Sequence, residues 1–213
     1  MRSEIQRKMI HLSSISIPVL YVWATRPLML WIFIPLTIVA FATEYLRLNV
    51  PAVGNFINTW FGSMLRTHEL ASENSRLSGA TYVVLSAALC ILIFPKVVTI
   101  AAFAVLIISD TASALYGRRF GRRKFLSKSL EGSSAFVVTA VAVVLVVAAV
   151  FHASSVFVIA GIIASIVAAV AEAMSYGVNI DDNLTIPMAF GLTMWGLLVL
   201  LGGADTAALL AVQ

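Results

Sequence analysis

The residues best equipped for chemistry stand together in residues 109–136, SDTASALYGRRFGRRKFLSKSLEGSSAF. Asp110 opens this stretch at the end of a long apolar run. Arg118, Arg119, Arg122, Arg123, Lys124 and Lys128 fill its middle, and Glu131 closes it before the next apolar run. Carboxylates alone would serve proton or cation transport. Carboxylates beside six cations fit a polyphosphate held by a divalent metal. Asp and Glu oxygens bind Mg2+ while phosphate oxygens complete its shell, and Arg and Lys neutralise the remaining phosphate charge. Gly117 and Gly121 flank residues 118–120 and would let a phosphate approach the backbone closely. The spacing is not that of a P-loop, because GRRFGRRK lacks G-x-x-x-x-G-K-[ST]. Asp110, Ser113 and Gly117 share one helix face at spacings of three and four.

Other charged and polar residues have plainer readings beside the chemical one. The basic cluster alone would serve topology and anionic lipid headgroups; the acids at both of its ends favour a site. Glu44 has a partner in Arg47, one turn on, and that reading is preferred to catalysis. His11 is read first as a polar residue at the membrane surface. Asp181, Asp182 and Asn183 can cap a helix that carries Pro187 in or near its first turn, and capping does not exclude metal binding. Glu172 follows Ser165, Ala168 and Ala169, small residues that let a neighbouring helix come close, so its carboxylate is expected to face the bundle interior.

The elements that must position these groups are membrane helices. The chain has 213 residues, 61% hydrophobic and 11% charged, with mean hydropathy +0.99. Soluble domains carry about a quarter charged residues. A crossing helix needs about 20 apolar residues, and seven stretches qualify: 9–25, 27–46, 79–95, 97–117, 133–151, 155–176 and 184–202. The stretch 133–151 is Val-rich, yet in lipid a spanning segment must satisfy its own backbone, so it is expected to be helical. Within 47–78, Phe56, Ile57, Trp60, Phe61, Met64 and Leu65 recur at helical spacing and predict an amphipathic helix on the membrane surface; a loop packed over the bundle is the alternative. The expected fold is therefore an all-α integral membrane protein, a single domain over 1–213 with about seven transmembrane helices and one interfacial helix. The single cysteine, Cys90, excludes an internal disulfide and a thiol metal cage. No small-residue cleavage site marks a signal peptide near Trp23 and Arg26.

If the seven helices alternate, twelve of the fourteen Lys and Arg residues fall on one side, leaving Arg26 and Lys96 on the other. The positive-inside rule puts the N-terminus in the cytoplasm. Glu44, Asp110 and Glu172 then lie near the cytoplasmic ends of their helices, level with Lys8, His11, Asp181, Asp182 and Asn183. Charges within spans are costly and usually pair or line a site. Their convergence at one face counts against a transporter, whose acids usually lie near the midplane.

The stretch 109–136 resembles the signature of CTP-dependent lipid kinases (dolichol kinase, phytol kinase and the yeast-type CTP-dependent diacylglycerol kinase), relatives of phosphatidate cytidylyltransferase. Their pattern reads G-D, small residues, G-R-x-x-G-x-x-K, then K-S-x-E-G. Asp110, Gly117, Arg118, Gly121, Lys124, Lys128, Ser129, Glu131 and Gly132 match it, with Ser109 in place of the usual glycine. RKMIH at 7–11, ENSRLSGATY at 73–82 (which contains Glu73 and Arg76) and AEAMSYGVNIDDNLTIP at 171–187 resemble further family segments, in order along the chain. The cytidylyltransferase pattern of K-D and G-H-G-G followed by D-R-x-D does not appear in the late segment, which favours phosphoryl over nucleotidyl transfer.

The resemblance implies transfer of the CTP γ-phosphoryl group to a membrane lipid alcohol such as a polyprenol, a phytol-like alcohol or diacylglycerol. The products would be CDP and a lipid phosphate. It implies Mg2+ at Asp110, with Glu172 or Asp182 and Asn183 contributing. Gly117, Arg118, Gly121, Arg122, Lys124, Lys128 and Ser129 would form the nucleotide site. Glu131 would orient Lys128 or a ligand water, and Asp181, Asp182 or Glu172 would take the alcohol proton. The expected partners are CTP, the lipid alcohol and the bilayer, with no nucleic acid. The expected location is a prokaryotic cytoplasmic membrane with the active site facing the cytoplasm. A cytidylyltransferase and an ion-coupled transporter remain the alternatives.

Overall fold

A computed structural model describes residues 9–62, 77–175, 177 and 180–212. Almost every described element is helical. Helix α1, Met9–Trp23, is interrupted by a turn at Ser14 and Ile15. It is followed by α2, Arg26–Asn49, α3, Pro51–Phe61, α4, Gly79–Ile93, and α5, Lys96–Phe120. A short hairpin of β1, Lys124–Phe125, and β2, Lys128–Ser129, leads into α6, Leu130–Val150. The chain continues through α7, Ser155–Met174, α8, Asp182–Leu201, and α9, Ala204–Leu210.

Helix boundaries follow local chemistry. Proline stands in the first turn of α2 and α3, where its missing N–H costs nothing and its fixed φ suits a helix start. Phe94 is extended before Pro95, as the ring of a following proline demands, and this ends α4. Ser129 caps α6 by accepting from Gly132 N–H. Asp181 caps α8 by accepting from Asn183 N–H. The Val-rich stretch is helix α6, as a lipid environment requires. Pro187 does not sit in the first turn of α8 but inside the helix, where it leaves the carbonyl four residues back without its ladder partner.

Among the described residues, α2, α5, α6, α7 and α8 are long and apolar enough to cross a membrane. Two shorter apolar helices, α1 and α4, fall within the other two expected stretches, 9–25 and 79–95, and are below that length, so five of the seven expected crossings are seen at full length. Helix α5 runs through the middle, packed on α1, α4, α6 and α8, and nearly all of it from Lys96 to Ser109 is buried. Phe94, Phe103, Phe136, Phe157 and Phe190 fill the spaces between helices. Large apolar side chains also point outward: Trp31 is 79% exposed and Leu200 80%. Contiguous apolar surface of that kind is out of place in water and at home in lipid. Helix α3 falls within the predicted amphipathic segment, with Phe56 and Trp60 exposed. Residues 63–76, which include Met64 and Leu65, lie outside the described residues. The hairpin and α9 were not expected from the sequence.

Candidate functional site

The hairpin carries the basic cluster's last member into the bundle. Lys124 pairs with Ser129 and Phe125 with Lys128, antiparallel, around the two loop residues Leu126 and Ser127. Leu126 takes φ 52°, the positive value a tight two-residue hairpin needs at its first loop position. The Leu130 N–H donates to the Arg123 carbonyl at 2.8 Å. The Glu131 carboxylate accepts from the backbone N–H of Arg122 at 3.0 Å and of Arg123 at 3.3 Å. Ser127 anchors the tip: its N–H and its Oγ both donate to the Ala173 carbonyl, at 3.2 Å and 2.6 Å. Ala173 follows Glu172 near the end of α7, so this anchor sets Lys128 beside that acid.

There the charged groups meet. Lys128 Nζ lies 2.9 Å from Glu172 Oε1 and 4.0 Å from Asp182 Oδ2. Ser113 Oγ donates to the same Glu172 Oε1 at 2.9 Å. Glu172 is fully buried, and its second oxygen, Oε2, has no hydrogen-bond partner among the described residues. Asp110 lies within electrostatic reach of both Lys128 and Glu172, and its Oδ2 is 3.8 Å from His11 Nε2. Helices α1, α5, α7 and α8 and the hairpin thus each contribute one ionisable side chain to a single charged cluster. Burial disfavours the Lys128 charge, but Glu172, Asp110 and Asp182 outweigh that penalty and hold its pKa above the ordinary lysine value.

The glycines make room for neighbouring protein atoms. A Cβ on Gly117 would meet Ser129 Oγ at 2.9 Å, and one on Gly121 would meet it at 2.8 Å. A Cβ on Gly132 would come 3.1 Å from the Ser113 carbonyl and 3.2 Å from Gly117 Cα. These absent side chains make room for the hairpin, with Ser129 nearest, and for α6 against α5. Ser129 Oγ is itself engaged as the cap of α6. Of the two roles expected for Glu131, orienting Lys128 or a ligand water, the first is not seen: its carboxylate lies on the loop backbone, and Lys128 meets Glu172 instead.

The remaining predicted residues divide. Arg118, Arg122 and Lys124 are exposed around the hairpin. Asn183 is buried; its amide donates to Asp181 Oδ1 at 2.7 Å and to the Gly79 carbonyl at 3.4 Å, which joins the starts of α8 and α4. Glu44 pairs with Arg47 in a buried contact on α2. Lys8, Glu73 and Arg76 lie outside the described residues. Among the described residues, no three Asp, Glu, His or Cys side chains are close enough to hold a metal ion by themselves. Two contributors escaped the sequence reading. Ser113 had been placed on the Asp110 face, but nothing named Glu172 as its partner; Ser127 carried no signal, because its partner is 46 residues away.

No protein-family model matches the chain, and no solved structure matches it. The chain is 30% identical over 190 residues to an uncharacterized protein of Rickettsia prowazekii, across 89% of this chain and 92% of that one. It is 28% identical over 216 residues to CTP-dependent diacylglycerol kinase 1 of Saccharomyces cerevisiae, across 91% of this chain and 73% of the yeast protein.

Proposed function

We propose, for a chain that belongs to one family with the uncharacterized Rickettsia prowazekii protein, that it is a CTP-dependent kinase of a membrane lipid alcohol. The observation that carries this reading is the meeting of Lys128 with Glu172 and Asp182 beside Asp110, next to the arginine-rich hairpin. The likeness to the yeast enzyme, whose name gives CTP as its donor, supports CTP over other nucleotides and diacylglycerol as one substrate class. Polyprenols and phytol-like alcohols fit the same apolar surroundings.

In this reading the lipid hydroxyl reaches the cluster from the bilayer and the nucleotide from the cytoplasm. The bond between the γ-phosphorus and the β–γ bridging oxygen breaks as a bond to the lipid oxygen forms, leaving CDP and a lipid phosphate. Lys128, Arg118, Arg122 and Lys124 hold the triphosphate and offset charge as the phosphoryl group moves, so catalysis is mainly positioning and electrostatics. Asp181 or Asp182, both partly exposed at the start of α8, takes the hydroxyl proton in preference to the fully buried Glu172. The donor set fits Mg2+, a hard cation for carboxylate oxygens: Glu172 Oε2 is buried and unpartnered among the described residues, and Asp110 is the second contributor. Mg2+ would neutralise charge on the β- and γ-phosphates. With too few side chains to cage it, phosphate oxygens and water would complete its shell. Seven crossings with a cytoplasmic N-terminus and α3 on the membrane surface complete the picture, in a prokaryotic cytoplasmic membrane.

The test supplies purified protein and Mg2+ with γ-labelled CTP or ATP and a panel of lipid alcohols. Label on a lipid, with CDP released, supports the proposal. Pyrophosphate and a CDP-lipid from phosphatidate would replace it with nucleotidyl transfer, and no nucleotide consumption with any lipid would overturn it.

A further inference from the structure

The last turn of α7 leaves carbonyls that the helix itself cannot pair. The Glu172 carbonyl accepts from Ser175 Oγ at 2.8 Å, and the Met174 carbonyl from Gly177 N–H at 2.9 Å. The Ala173 carbonyl between them accepts from Ser127, from its N–H at 3.2 Å and its Oγ at 2.6 Å. Ala173 is buried, and a buried carbonyl left unpaired is costly. Ser127 therefore completes the end of α7 from a hairpin 46 residues away. On one side of Ser127 stands Leu126, whose φ of 52° is open to glycine and disfavoured for a branched side chain. The Leu126 side chain is exposed and gains little from packing, so the bonds of the hairpin and of Ser127 must hold that turn. On the other side stands Lys128, whose Nζ lies 2.9 Å from Glu172 Oε1. Two successive hairpin residues thus meet two successive residues of α7.

We propose that Ser127 is the positioning residue for Lys128. By clasping the Ala173 carbonyl it holds the hairpin tip in the strained turn at Leu126 and keeps the Lys128 ammonium beside Glu172. Lysine carries its charge on a flexible four-carbon stem, so the place of that charge depends on where the backbone beneath it is held. A serine that only capped α7 would add stability and leave Lys128 where it is, whereas a clasp fixes both. The position of Lys128 follows from this geometry alone. Its catalytic meaning rests on the reading of Lys128 as a phosphate-holding residue.

The test acetylates the detergent-solubilised full chain with acetic anhydride and reads each lysine by mass spectrometry. Lys124, exposed on the facing strand, is the internal standard. In wild-type protein Lys128 should react more slowly than Lys124. Ser127→Ala should raise Lys128 labelling relative to Lys124 about fivefold, the factor that one net hydrogen bond carries. Ser127→Thr, which keeps the hydroxyl, should label as wild type does. Adding Leu126→Gly to Ser127→Ala relieves the turn and should recover part of the protection. Unchanged Lys128 labelling in Ser127→Ala overturns the proposal. So does wild-type Lys128 that reacts as fast as Lys124, a result that needs no variant to fold. No recovery with Leu126→Gly overturns the strain at the turn. Phosphoryl transfer should fall in Ser127→Ala by a similar factor and return in Ser127→Thr; full transfer by Ser127→Ala with Lys128 unmasked would overturn the catalytic meaning. Neither CTP nor lipid enters the labelling, so a chain without kinase activity would sink the enzymatic reading and leave Ser127 as the residue that places Lys128.

Discussion

Gly117 on α5 and Gly132 on α6 face one another so closely that a Cβ on Gly132 would lie 3.2 Å from Gly117 Cα. The same Cβ would press on the Ser113 carbonyl, and Ser113 donates to Glu172. The approach of two helices and the geometry of the charged cluster are therefore one problem. Gly132→Ala requires the Ser129 side chain, the Ser113 carbonyl and Gly117 Cα to give by a few tenths of an ångström, and two of these three are backbone atoms. Overpacking of this kind costs about 1–3 kcal/mol. Thermal unfolding in detergent should show that loss, and phosphoryl transfer should fall with it. An alanine variant as stable as wild type would mean that the helices are not held this close.

The Lys128–Glu172 pair should behave as a coupled unit. Removing one partner of a buried ion pair strands the other and costs about 3–5 kcal/mol, whereas replacing both with apolar groups is often near neutral. Lys128→Met and Glu172→Met should each destabilise strongly, and the double variant should be more stable than Glu172→Met or Lys128→Met alone. Chemical unfolding of all four proteins in one detergent measures the coupling. Additive losses would show that the two side chains do not interact.

The pH dependence of that pair has a definite sign. The folded-state pKa of Lys128 is raised by its carboxylate neighbours. Its contribution is therefore fully present below the unfolded lysine value of about 10.4 and is lost as pH rises through the higher folded value. The stability gap between wild type and Lys128→Met should stay level from about pH 7 to 9 and narrow only above about 10.4. Narrowing that begins near neutrality would contradict a raised pKa.

Sequence reading located these residues along and around their helices but not between them. The ends of apolar runs give depth, which is why Asp110, Glu172 and Asp182 were expected at one level. Helical periodicity gives the face, which is why Ser113 and Gly117 were grouped with Asp110. Glu44 with Arg47 and the Asp181 cap were legible because each is a contact within a turn or two. What fixes Lys128 is of another kind. Two strands of two residues have no periodicity to detect, and the hairpin is anchored by Ser127 to a carbonyl on a distant helix. Gly117, Gly121 and Gly132 show the same limit. Their lack of side chains is visible in sequence, but that Ser129 and the facing helix are their neighbours is decided only when α5 and α6 come together.

Asp110 separates a catalytic cluster from a merely structural one. It faces His11 at 3.8 Å from the edge of the cluster and is 19% exposed, so Asp110→Ala removes a charge without leaving a large cavity. The fold should survive, with an unchanged elution volume in detergent. Phosphoryl transfer should fall by about 10²–10³, the scale seen when one electrostatic contact to a transition state is lost. Full activity in Asp110→Ala would remove this residue from the proposed machinery.

Orientation can be read with single cysteines, because the chain's one native cysteine, Cys90, is fully buried. Leu126 and His152 are both exposed and flank the two ends of α6. Twenty-one helical residues at about 1.5 Å each span about 30 Å, the thickness of the hydrocarbon core. The two positions should therefore lie on opposite faces of the membrane. In the proposed orientation the arginine-rich loop and the Leu126 end are cytoplasmic, as the positive-inside rule predicts. In intact cells a membrane-impermeant thiol reagent should label His152→Cys, and should label Leu126→Cys only after permeabilisation. The reverse pattern would put the basic hairpin outside, away from cytoplasmic nucleotide. Equal labelling of both in intact cells would mean that α6 does not cross the membrane at all.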